Sequence, residues 1–147
     1  MNFNTYIYTV AQLNRRGVTE YSLADMIDTT EHLMTCGFNV TYAHTDLRTI
    51  LLLFDVKENS YDRKTNLLVP ILAAEASAKL TQHKGTLATF DSKLVVLPDR
   101  ELVVDYFRSR VSDSNNSSWS YWKGSKTTIR ELVTIKGKEM IEDLMSR

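Results

Sequence analysis

The sequence predicts an α+β protein: an antiparallel sheet with helices on one face, built as a single domain over residues 1–147. Three observations lead there. Predicted elements run strand, helix, hairpin, helix, strand and then helices, an order without the repeating βαβ units of a parallel sheet. Two consecutive β-type runs, Phe38 to Tyr42 and Leu47 to Phe54, lie close enough in sequence to pair as a hairpin. Within the second, Ile50-Leu51-Leu52-Leu53-Phe54 is apolar on both faces, as a central strand covered on each side must be.

The elements follow in order. Tyr6-Ile7-Tyr8-Thr9-Val10 is short and β-rich. Ser22 caps a helix carrying Leu23, Met26, Ile27 and Leu33, which Gly37 stops. The hairpin comes next, with His44-Thr45-Asp46 near its tip. Asp62 caps a long helix to about Gln82, in which Leu67, Leu68, Ile71, Leu72, Glu75, Ala76 and Lys79 recur at helical spacing. Pro70 implies that this helix starts late or kinks. Thr86 to Leu97 returns as a strand closed by Pro98, and Asp99 caps a helix with Leu102, Val103, Tyr106 and Phe107 on its apolar side. The polar run from Ser112 to Ser118 reads as a helix end or an active-site loop, and two short helices, Thr127 to Ile135 and Lys138 to Met145, break at Gly137. Residues 1–98 thus hold the sheet and its packing helices, and 99–147 form a helical C-terminal part.

Composition excludes several classes. The 43% apolar and 24% charged content is that of an ordinary soluble domain. No stretch of about 20 apolar residues spans a membrane, and Met1 to Thr5 have no basic head or signal core, so a cytoplasmic location is expected. Cys36 is the one cysteine and there are three histidines, too few for an internal disulfide or a zinc anchor. Zero net charge argues against non-specific binding to nucleic acid. The charges are uneven, however: Met1 to Asp62 carries four Arg/Lys against eight Asp/Glu (−4), and Arg108 to Arg147 eight against five (+3). A polyanion would dock on the C-terminal third; solvated helix faces are the equally open alternative.

Three segments, in order, carry a family resemblance. Tyr42-Ala43-His44-Thr45-Asp46-Leu47 is similar to a tyrosine, a short turn and Ser-Asp-Glu leading into an apolar strand. Asp62-Arg63-Lys64, followed by Glu75-Ala76-Ser77-Ala78-Lys79-Leu80, is similar to an Arg-Lys pair and a Glu-Ala-Ser-Ala-Lys-Phe helix. Phe90-Asp91-Ser92-Lys93, Leu97-Pro98, Tyr106-Phe107 to Arg110 and Asp113 match Phe-Asp-x-Arg, Leu-Pro, Tyr-Phe-x-Trp-Arg and a following Asp. The tail, with Gly124-Ser125-Lys126-Thr127 and Lys136-Gly137, matches more loosely. Together, over Met26 to Leu144, they resemble the tRNA(His) guanylyltransferases.

The resemblance implies a ferredoxin-like, polymerase-type palm that adds a nucleotide to a tRNA 5′ end in the 3′-to-5′ direction. It implies Mg²⁺ and a nucleoside triphosphate (GTP or ATP) as cofactors, a tRNA partner and a homo-oligomer. Two carboxylates, one at a hairpin tip and one at the end of the first strand, hold the Mg²⁺ ions. Asp46 matches the first, as metal ligand and catalytic residue; an ordinary turn aspartate is the alternative reading. Arg63, Lys64, Ser77 and Lys79 match triphosphate contacts, and Lys93, Arg110 and Asp113 match further site positions. Lys79 can also pair with Glu75 on its own helix, and Asp91 reads as a brace for Lys93 or a strand-end cap. Trp119, Tyr121 and Trp122 can stack on a base or form a core cluster, and His44, read as an exposed turn residue, receives no role.

The second carboxylate is missing. The family carries it in Arg-x-Asp-Gly-x-x-Phe on the first strand, and no Asp-Gly pair occurs here. Either the chain begins where that motif ends, near Phe3 to Tyr6, or Tyr6 to Val10 is the strand and the ligand position holds Val10 or Ala11. Leu47 also stands where the family has Glu. The expectation is a degenerate palm that binds nucleotide, and tRNA with it. The alternatives are an active 3′-5′ nucleotidyltransferase and a non-catalytic sensor, sponge or structural subunit.

Overall fold

The computed structural model describes residues 8–17, 20–36, 38, 40–54, 65–110 and 119–122; the side chains of residues 65–67, 84, 100, 110 and 122 lie outside that description. The elements are β1 (Tyr8–Arg15), α1 (Leu23–Thr35), β2 (Val40–Thr45), β3 (Thr49–Phe54), α2 (Thr65–Lys84), β4 (Phe90–Leu97), α3 (Arg100–Arg110) and β5 (Trp119–Trp122). The strands form one sheet in the order β4-β1-β3-β2-β5, with every neighbouring pair antiparallel. This is the expected α+β plan, and the first four strands have the ferredoxin-like order.

The apolar run of β3 is central, and Ile50 to Phe54 are all buried. Alternation divides the strand between two cores. Ile50, Leu52 and Phe54 join Ala11 and Leu13 under α1 and α2, with Met26, Leu33, Leu72 and Leu80. Leu51 and Leu53 join Val10 and Tyr42 on the other face, under Val103, Val104 and Phe107 of α3. The C-terminal helix therefore closes the face that α1 and α2 leave open. Leu13, Ile50, Leu52, Leu72 and Leu80 have essentially no exposed surface, and each such side chain contributes roughly 2 kcal/mol.

Local signals account for most boundaries. Ser22 and Asp25 form a capping box on α1: the Ser22 Oγ accepts from Asp25 N at 3.2 Å, and Ser22 N donates to Asp25 Oδ2 at 3.2 Å. Asp99 caps α3 by accepting from Leu102 N at 2.9 Å. The helix α2 runs through Pro70, which is exposed and close to the start, where few turns depend on its missing N–H. Gly85 ends it with φ +66°, the left-handed conformation that suits glycine, and its N–H bonds Thr81 O at 2.8 Å.

Three expectations are corrected. β1 extends from Tyr8 to Arg15, well beyond Val10, because Ala11 and Leu13 continue the buried face while Gln12 and Asn14 alternate onto the other. β2 continues through Thr45, so His44 is a buried strand residue at 3% exposure and not an exposed turn residue. The part after residue 98, read as helical, contains the strand β5, paired to β2 as Thr45↔Trp119 and His44↔Ser120. Gly37, Asp62 and the two C-terminal helices at 127–135 and 138–145 lie outside the described residues. Among the described residues, no helix is long and apolar enough to cross a membrane.

Candidate functional site

Residues directly opposite in an antiparallel sheet share a face, so register places side chains in rows. Asp91, Asn14 and Thr49 form one row across β4, β1 and β3, at the end of the sheet where the β2–β3 turn lies. Lys93, Gln12, Leu51 and His44 form the next. Both rows are on the α3 side, where the sheet turns from apolar under Val103 and Phe107 to polar towards the turn. The Tyr106 hydroxyl donates to Gln12 Oε1 at 2.7 Å, and Gln12 Nε2 donates to Asn14 Oδ1 at 3.1 Å. Thr49 Oγ1 donates to the same Asn14 oxygen at 3.3 Å. This chain from α3 across β1 to β3 fixes the amide of Asn14 with its oxygen turned into the network.

The turn beside this row is held rigid. Asp46 Oδ1 accepts from Arg48 N and Thr49 N, both at 2.8 Å, the local bonding that favours Asp in turns. Thr45 Oγ1 donates to Asp46 O and to Thr49 O, both at 3.0 Å. From beneath, the buried Arg15 guanidinium donates through Nε (3.3 Å) and Nη2 (3.2 Å) to Leu47 O and lies 4.9 Å over the Tyr21 ring. Burial, with Arg48 nearby, pulls the Arg15 pKa down from its ordinary value, yet a guanidinium stays charged. Arg48 Nη1 donates to Gly17 O at 3.2 Å, and Arg16 pairs with Asp91 at 3.3 Å. That last pair is exposed and adds little stability.

The expected site residues divide between the two sides of the sheet. Asp46 is at the hairpin tip, as read, and Lys93 is exposed beside Gln12 on the α3 face. Ser77 and Lys79 are on α2, in the opposite layer. The Ser77 hydroxyl donates to Ala73 O at 2.6 Å and accepts from Phe90 N at 3.1 Å, so it ties α2 to β4 instead of facing Asp46. Lys79 falls at helical spacing between Glu75, which meets His32, and His83, which faces Asp25 and Asp28; it therefore lines the seam between α1 and α2. Arg63, Lys64 and Asp113 are outside the described residues, and Arg110 ends α3 with its side chain outside them. Trp119 is wholly buried in the α1–α2 core, parallel to Tyr121 at 6.0 Å, which makes it a core aromatic and not a platform for a base. Gln12, Asn14 and Tyr106 were missed. The signal was present in Val10-Ala11-Gln12-Leu13-Asn14, an alternation that continues the strand to Asn14-Arg15-Arg16-Gly17.

The strand residue next to the hairpin turn is thus Asn14, not Val10 or Ala11. Its row does not fit a two-metal centre. Asp46 brings one carboxylate with an oxygen already engaged by the turn, and Asn14 brings a neutral amide whose oxygen accepts twice. Asp91 is paired with Arg16 and lies on β4, two strand spacings from β3, roughly 10 Å across the sheet, whereas paired metals sit about 4 Å apart.

The same fold occurs in solved structures. A bacterial tRNA(His) guanylyltransferase-like protein in complex with GTP matches with a TM-score of 0.61 and 17% identity, over 75% of this chain and 62% of that one. A bacterial protein of the same description in complex with ATP matches at 0.60 and 17%, over 75% and 57%. The tRNA(His) guanylyltransferase of Saccharomyces cerevisiae matches at 0.59 and 12%, over 74% and 58%. This chain spans about three-fifths of the length of those structures. The likeness in fold is to the same family that the motifs resemble. No family model and no curated protein matches the sequence.

Proposed function

We propose that this chain binds a purine nucleoside triphosphate on the polar end of the α3 face without carrying out two-metal phosphoryl transfer. The observation that carries this is Asn14: the β1 position beside the hairpin turn holds an amide where the family resemblance implies a carboxylate. Two like-fold structures are complexes with GTP and with ATP, which supports a nucleotide as the ligand. Lys93 provides the cation on this face, and Gln12, Asn14 and Tyr106 provide a pre-set polar floor. Mg²⁺ is then not needed for binding. The positive excess from Arg108 to Arg147 favours the C-terminal third as the surface that meets a tRNA.

Calorimetric titration with GTP and ATP, with and without Mg²⁺, tests the reading. Binding is expected in both buffers, and Lys93→Ala should weaken it roughly tenfold, the worth of one charge-assisted phosphate contact. Absence of binding by either nucleotide would remove the proposal.

A further inference from the structure

On the opposite side of the sheet, three side chains capable of holding a metal converge from two helices. His32 and Cys36 are four residues apart at the end of α1, hence one turn apart on the same face. Glu75 reaches them from α2. His32 Nε2 and Glu75 Oε2 are 2.8 Å apart, and the ligand atoms of all three residues lie within 4.8 Å of one another. Around a tetrahedral zinc, bond lengths near 2.0 Å for N and O and 2.3 Å for S set ligand separations of roughly 3.3–3.6 Å. The His32–Glu75 separation lies just below that range and the outer limit of 4.8 Å above it, so changes in separation of roughly 0.5–1.5 Å complete it.

Two further features favour a cation here. Cys36 is the C-cap of α1, so the negative end of the helix dipole and its last carbonyls point towards the site. One thiolate, one carboxylate and one neutral imidazole also balance a divalent ion without residual charge. Cys36 is exposed and the other two are half-buried, which leaves a path for entry and room for a water as fourth ligand.

We propose that His32, Cys36 and Glu75 form a binding site for a borderline-soft divalent cation of the Zn²⁺ type, with an open fourth position, that clips the end of α1 to α2. The mixed S, N and O set selects Zn²⁺ over Mg²⁺, which takes hard oxygen ligands. A cation held here would run against the expectation from composition that one cysteine and three histidines are too few to anchor zinc. The site stands independently of the nucleotide reading, being in the other layer of the fold.

Titration of the metal-free protein with Co²⁺ is the test. The expected result is one equivalent bound at micromolar concentration, with a sulfur-to-cobalt charge-transfer band and the intense visible bands of a tetrahedral ion. Cys36→Ser should abolish the charge-transfer band, and this position is exposed enough to tolerate the change. His32→Gln and Glu75→Gln should each weaken Co²⁺ by at least about tenfold, and Zn²⁺ should raise the Tm of the wild type but not of Cys36→Ser. A missing charge-transfer band, or unchanged Co²⁺ affinity in His32→Gln and Glu75→Gln, would overturn the proposal.

Discussion

Trp119→Ala is expected to lower stability by about 3 kcal/mol, among the largest losses any single truncation here can cause. Trp119 is the largest wholly buried side chain among the described residues and belongs to a four-residue edge strand. Truncation removes the wholly buried side chain by which β5 enters the α1–α2 core, leaving Tyr121 and the ladder to β2. The loss falls at the low end of the usual 3–5 kcal/mol range, because Trp119 Nε1 has no hydrogen-bond partner among the described residues. Removing a buried unpaired donor returns part of the cost. Trp119→Phe, which drops that N–H and keeps most of the ring, should recover more than half of the loss. Urea denaturation of the three proteins measures this; equal stability of wild type and Trp119→Ala would show that β5 is not anchored as described.

The second large effect is an acid-dependent loss of stability centred on His44. Its Nδ1 lies 2.7 Å from Ser120 Oγ between β2 and β5, and burial pushes its pKa down from 6.5 to about 4, against a smaller opposing pull from Asp46. The folded pKa is depressed, so the unfolded chain takes up the proton first. Stability is therefore full above about pH 6.5 and falls as pH drops, levelling near pH 4. The loss across that window is about 3 kcal/mol, a large share of a small domain's total. His44→Gln keeps a hydrogen-bonding partner for Ser120 and cannot titrate, so its urea midpoint should fall much less over the same range. A wild-type midpoint that does not change between neutral pH and about pH 4 would contradict the assignment. The two effects are coupled through β5: loosening the strand by Trp119→Ala hydrates His44 and flattens its acid limb.

What could be read from the residues follows from the range of the interactions. Ile50 to Phe54 declare a central strand because both faces are apolar, and Ser22 and Asp99 declare helix starts because capping is local. The extent of β1 is harder. Gln12 and Asn14 look like loop residues until Tyr106, far along the chain, supplies a partner for their polar face. The pairing of His44 with Ser120 has no local signature either, which is why His44 reads as an exposed turn residue and β5 is invisible. Within the site, Asp46 is legible as a turn aspartate. Asn14 is not, since a search for Asp-Gly passes over an Asn-Arg pair at the same strand end. The cluster of His32, Cys36 and Glu75 depends on the packing of two helices, which spacing in the sequence does not reveal.

On the proposed reading, Asn14 leaves the palm able to bind nucleotide but without a two-metal centre. GTP titration of wild type and Asn14→Asp, with and without Mg²⁺, tests it most directly. The wild type is expected to bind GTP equally in both buffers, and Asn14→Asp, with a second carboxylate beside Asp46, to acquire binding strengthened at least about tenfold by Mg²⁺. Wild-type binding that already requires Mg²⁺ and disappears in Asp46→Ala would contradict it.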